Sequence, residues 1–138
     1  MISNLFQLLF VFNDWAILLI RIVLGAILIV HGFPKIKNLK ETIANFPKMG
    51  FKPGWLWGPL VAFVEFFGGI ALVLGFYTQA VAILIAGQFA IIIIWKIIRK
   101  QKFIGGLEFD LLILAAALLL LTQGAGMFSL DRFFFLNY

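Results

Sequence analysis

The sequence predicts an all-α integral membrane protein: a four-helix transmembrane bundle with a short N-terminal interfacial helix. Three observations carry that prediction. The 138 residues are 64% hydrophobic and only 12% charged, with a mean hydropathy of +1.11. The apolar residues gather in four stretches, roughly Trp15 to Val30, Leu60 to Phe76, Ala80 to Ile98 and Leu111 to Leu121. None of these alternates apolar with polar residues, so helices rather than a closed barrel satisfy the backbone in lipid.

The first three stretches approach the ~20 residues that cross ~30 Å of hydrocarbon, and the fourth reaches it only with Glu108 and residues 122–126 included. With their polar ends, the predicted spans are about 15–32, 59–77, 79–98 and 107–123 of a single domain covering residues 1–138. Ahead of them, Ile2, Leu5, Phe6, Leu9 and Phe10 recur at helical spacing, which predicts an amphipathic helix on the outer interface. That segment lacks the basic start and small-residue cleavage site of a removable signal peptide.

Orientation follows from the basic residues. Lys35, Lys37, Lys40, Lys48 and Lys52 lie between the first and second spans, and Lys96, Arg99, Lys100 and Lys102 between the third and fourth. The opposite side holds only Arg132. This bias predicts cytoplasmic loops at 33–58 and 99–106 and both termini outside. The net charge of +5 is thereby a matter of topology, and no nucleic-acid partner is expected.

Composition also narrows the chemistry. With no cysteine the chain has no disulfide relay and no thiolate metal site, and one histidine excludes bis-histidine haem ligation. A redox role therefore requires a borrowed cofactor, none being held covalently. No metal site is expected either: the Glu-x-x-His pairs of carboxylate bundles are absent, and Glu108 and Asp110 stand about 200° apart on a helix.

Five ionisable residues lie in or at the edge of the apolar stretches: Arg21, His31, Glu65, Glu108 and Asp110. A charge near the bilayer centre costs about 3 kcal/mol or more, so it persists where it is paired, hydrated or used. The predicted depths place His31, Glu65 and Glu108 in the cytoplasmic half as a candidate ligand-binding cluster. Gln88 lies near mid-membrane, and its amide can donate to a bound lipophile or hold helices together. Arg21 stands ten residues from His31, ~15 Å further out, where Asp131 is its expected ion-pair partner. Gly25 and Gly32 share a stripe with Arg21, and Gly68, Gly69 and Gly75 share one with Glu65, which marks both faces for close helix packing. The acids read equally well as proton-handling groups or as structural locks.

Four pieces of the chain resemble one family in order: Arg21-Ile-Val-Leu-Gly25 continuing to His31-Gly-Phe-Pro-Lys35; Glu65-Phe-Phe-Gly-Gly69-Ile-Ala-Leu72 with Gly75; Gly106-Leu-Glu108 with Leu111 and Leu112; and Gly124-Ala-Gly126-Met-Phe-Ser129-Leu-Asp131. Over residues 15–132 the chain resembles the DoxX family of small bacterial membrane proteins. The resemblance implies residence in the bacterial cytoplasmic (inner) membrane and a link to oxidoreductase complexes and quinone chemistry. The leading expectation is a membrane subunit that supports redox chemistry, binding a quinone-like lipophile and docking an oxidoreductase partner. A non-enzymatic assembly or scaffolding factor and a small proton-coupled transporter are the alternatives. Whether the chain is itself an enzyme, and whether it forms a homo-oligomer through its glycine faces, stay open at this point.

Overall fold

The computed structural model describes residues 2–135. Helix α1 (Ile2–Leu8) passes through a 3-10 turn (Leu9–Phe12) into the long α2 (Asn13–Lys37). A short α3 (Leu39–Lys48) follows, then α4 (Gly54–Leu74) and α5 (Thr78–Ile98). An irregular turn, Phe103–Leu107, leads into α6 (Glu108–Gln123), and α7 (Leu130–Phe135) closes the described chain. Among the described residues, four helices are long and apolar enough to cross a membrane. The first and last described helices and the α4–α5 turn lie at one end of the bundle, here called the terminal end. The loops rich in lysine lie at the other, the basic end.

Close packing of α2 on α4 is dictated by glycine. A Cβ at Gly25 would stand 2.6 Å from the Gly69 carbonyl oxygen, and one at Gly69 would stand 2.7 Å from that of Gly25. One turn-pair further, a Cβ at Gly32 would meet the Phe66 nitrogen at 2.5 Å. The two backbones touch without lipid between them, the usual use of small residues at membrane crossings. Gly68 faces α5 instead, with Val81 at 3.2 Å from its hypothetical Cβ, and Gly75 ends α4 in the left-handed conformation at φ +68°. Leu24, Leu28, Leu72, Ile85 and Leu120 fill the buried core, while large side chains such as Leu19, Phe67, Ile94 and Leu112 point outward, as lipid-facing residues do.

The helices extend beyond the predicted spans in two places. α2 continues five residues past 32, through Pro34, to Lys37. Proline removes one internal hydrogen bond, but Asn38 N–H still closes on the Pro34 carbonyl at 3.0 Å and Gly32 is pinned against α4. α4 begins at Gly54 rather than 59, with extended Pro53 as its cap. Between them, residues expected as loop form α3, whose buried Thr42 donates to the Lys35 and Asn38 carbonyls at 3.2 and 3.1 Å. Gly54 and Gly58 let α3 lie directly on α4, each facing Ile43.

The N-terminal segment is helical, but residues 4–13 are exposed on every side rather than on one face. Residues Asn4–Lys37 make one run of 34 residues, about 51 Å at 1.5 Å per residue and so far longer than the ~30 Å of hydrocarbon. α2 and α6 diverge and leave an apolar groove of about 290 Å³ between Val23, Ile27, Phe109 and Leu112.

Candidate functional site

Glu65 is the centre of the candidate site. It is 2% exposed and sits eleven residues after Gly54, about 16 Å along α4 and near the middle of the bundle rather than toward one end. The earlier start of α4 accounts for this change of depth. Its Oε2 pairs with the Lys35 ammonium, and its Oε1 accepts a 2.7 Å hydrogen bond from Gln88 Nε2. Lys35 reaches Glu65 because α2 persists past Pro34 and because helical side chains lean toward the N-terminus of their own helix. Gln88 lies midway along α5, directly across the seam. The result is a three-residue chain, Lys35–Glu65–Gln88, that joins α2, α4 and α5 at mid-depth.

This chain opens on a groove. An apolar hollow of about 340 Å³ runs between α4 and α5, with Leu60, Val64, Leu84 and Ile91 on its walls and Gln88 on its floor. Gly87 also lines it, and a Cβ added there would meet nothing within 4 Å. The Gln88 amide gives one N–H to Glu65, and among the described residues its oxygen and second N–H have no hydrogen-bond partner. At the basic end, Phe46, Phe51 and Trp57 wall the groove. That wall is tethered: the Met49 carbonyl accepts from Trp95 Nε1 at 2.8 Å and from Arg99 Nη2 at 3.3 Å, while Phe51 packs on Trp95 at 6.0 Å.

The structure divides the expected His31–Glu65–Glu108 cluster. His31 is exposed, about 100° round α2 from the buried Gly32, with its ring 5.9 Å from Phe109. Glu108 is exposed and accepts the Gly105 N–H at 2.8 Å, holding the turn that precedes α6. Neither meets Glu65, because each lies on a helix face turned away from the α2–α4–α5 seam. Asp110, only 7% exposed, pairs instead with Lys96, whose ammonium also donates to the Gly106 carbonyl at 3.0 Å.

At the terminal end, Arg21 is fully buried and Asp131 lies near it, yet the two form no direct ion pair among the described residues. Arg21 Nη2 donates to the Phe128 carbonyl. Asp131 is occupied by the backbone of α5: its carboxylate accepts the Tyr77 and Thr78 N–H groups at 2.6 and 2.8 Å, and its own N–H donates to Gly75. The segment 124–135 is thus a strap across the terminal end. Asp14, which accepts the Met127 N–H at 3.0 Å, and Trp15, whose ring lies 4.5 Å from Phe128, fasten it to α2.

The sequence reading missed Lys35 as the partner of Glu65. A lysine just past a predicted helix end looks like a topology charge, and only the proline-spanning turn turns it inward.

A multi-pass membrane bundle with an acid paired at mid-depth and an amide on a lipid-side groove defines the class of protein. The model of the DoxX family matches residues 16–97, which hold the whole Lys35–Glu65–Gln88 chain, and this chain belongs to that family. It is 34% identical over 121 residues to the "Putative oxidoreductase CatD" of Bacillus subtilis (strain 168), covering 86% of each chain. It is 32% identical over 122 residues to the "Inner membrane protein YqjF" of Escherichia coli (strain K12), covering 87% of this chain and 92% of that one. No solved structure matches it.

Proposed function

We propose that this protein is an inner-membrane subunit supporting redox chemistry, which binds a quinone-like lipophile in the α4–α5 groove and docks an oxidoreductase partner on a cytoplasmic basic end. The observation that carries the reading is the Lys35–Glu65–Gln88 chain opening at mid-depth on an apolar groove. An intramembrane acid costs several kcal/mol unless it is used or satisfied, and a lysine brought in only to neutralise it would need no amide facing lipid. The relative named as an oxidoreductase favours a redox setting.

Gln88 fits such a ligand, with an N–H for a ring carbonyl and an oxygen for a ring hydroxyl. Glu65 holds Gln88 in place and is the nearest group able to take or give a proton, while Lys35 connects it to the basic end. When bound, the ring supplies coupled electron and proton uptake. The electrons come from the partner, since the chain has no redox centre of its own.

The test is native mass spectrometry of gently solubilised wild type, Gln88→Leu and Gly87→Leu, with extraction of the small molecules that travel with each. A quinone-sized lipophile on the wild type, lost in Gln88→Leu and in the groove-filling Gly87→Leu, is the expected result. A stable protein partner with no small ligand on any of the three would establish the assembly role in its place.

A further inference from the structure

The α4–α5 seam does not stop at Gln88. Beyond Val64 and Leu84, which it shares with the Gln88 groove, a second hollow of about 290 Å³ continues between Phe63, Phe67, Gly68 and Val81. Both steps, from Val64 to Gly68 on α4 and from Leu84 to Val81 on α5, lead toward the terminal end, because the two helices run antiparallel to the turn at Gly75–Tyr77. Among the described residues, no polar side chain lines this second hollow. In the opposite direction the seam is shut by Phe46, Phe51 and Trp57 and by the tether on Met49.

One seam therefore offers a hydrogen-bonding point at mid-depth, a closed basic end and an apolar run in one direction only. We propose that the ligand of the Gln88 groove is a tailed lipophile, whose polar head sits at Gln88 and whose flexible apolar tail lies along α4 and α5 past Phe67 and Val81. This rests on the reading that the groove takes a hydrogen-bonding lipophile, and adds to it the tail and its direction. Gly68 has a role here: a larger residue at that position would meet Val81 at 3.2 Å and close the passage.

The gain from the tail is not the hydrophobic effect. A tail dissolved among lipid chains is already out of water, so only closer van der Waals contact with the seam favours the bound state. The tail advantage must consequently be compared at equal ligand concentration within the bilayer, where it is expected to be about fivefold.

The experiment uses the full chain in lipid nanodiscs and two benzoquinone probes with the same ring, one without a tail and one with a decyl tail. Binding is read by quenching of tryptophan fluorescence, with Trp57→Phe showing how much of the signal arises in the groove. The tailed probe should bind about fivefold more tightly per membrane concentration. Val81→Phe should abolish that advantage while leaving the tail-less probe unaffected. Phe67→Ala, at a half-exposed position that does not threaten folding, should reduce it as well. Equal binding of the two probes, or equal weakening of both by Val81→Phe, overturns the proposed tail path and leaves the Gln88 site standing. Absence of quenching by either probe overturns the Gln88 site, and the tail path with it.

Discussion

Replacing Lys35 by Met removes the ammonium and keeps a flexible apolar stem of similar length. Glu65 then retains one hydrogen bond, from Gln88, and at 2% exposure it has little access to water in place of its lost partner. Removing one member of a buried ion pair costs about 3–5 kcal/mol. The Lys35 side chain keeps 33% exposure against 3% for Glu65, so solvent screens part of the attraction, and about 3 kcal/mol is the expected loss. At 1.4 kcal/mol per decade, that shifts the folding equilibrium about 140-fold. The double substitution Lys35→Met/Glu65→Gln removes both charges and keeps a side-chain oxygen for Gln88, so it should return to within about 1 kcal/mol of wild type. Unfolding in mixed micelles by denaturing detergent, followed by tryptophan fluorescence, measures all four members of the cycle. If Lys35→Met unfolds at the wild-type midpoint, or if the two single losses simply add in the double variant, the charge pair is not what ties α2 to α4 at mid-depth.

Two further perturbations probe the packing and the strap. Gly69→Ala forces a methyl to within 2.7 Å of the Gly25 carbonyl and should cost about 1–3 kcal/mol, whereas Gly87→Ala, with nothing within 4 Å, should be neutral or stabilise the helix by up to about 1 kcal/mol; the same detergent titration separates them. Asp131→Ala strips two acceptors from the start of α5 and should cost about 1–2 kcal/mol, with faster hydrogen exchange confined first to the Tyr77 and Thr78 amides.

The four spans could be read from hydropathy because lipid allows few ways to satisfy a backbone, and the glycine stripes of α2 and α4 followed from a 3.6-residue period. Partnerships between charges were less legible. His31, Glu65 and Glu108 looked alike by depth, but depth says nothing of azimuth, and only Glu65 faces the seam. Arg21 and Asp131 lie at the same end of the bundle, yet backbone N–H groups at a helix start compete for a carboxylate as well as a guanidinium does, and here they hold both oxygens. α3 escaped notice because it sits in a lysine- and proline-containing stretch between two spans, although Leu39, Ile43 and Phe46 recur at helical spacing, and it lies on α4 over Gly54 and Gly58.

Arg21 has a consequence for how the protein is made. Its guanidinium donates to the carbonyl of a residue 107 positions later in the chain. A ribosome delivers α2 to the membrane long before Phe128 exists, and an arginine inside a span costs up to about 2.5–3.5 kcal/mol at insertion, less toward the span's end. The first helix therefore enters lipid with its charge unmatched and is carried by the surplus apolar length on either side of it. The charge is matched only when the strap at 124–135 folds back over the bundle, so a segment made about a hundred residues later completes the burial of α2.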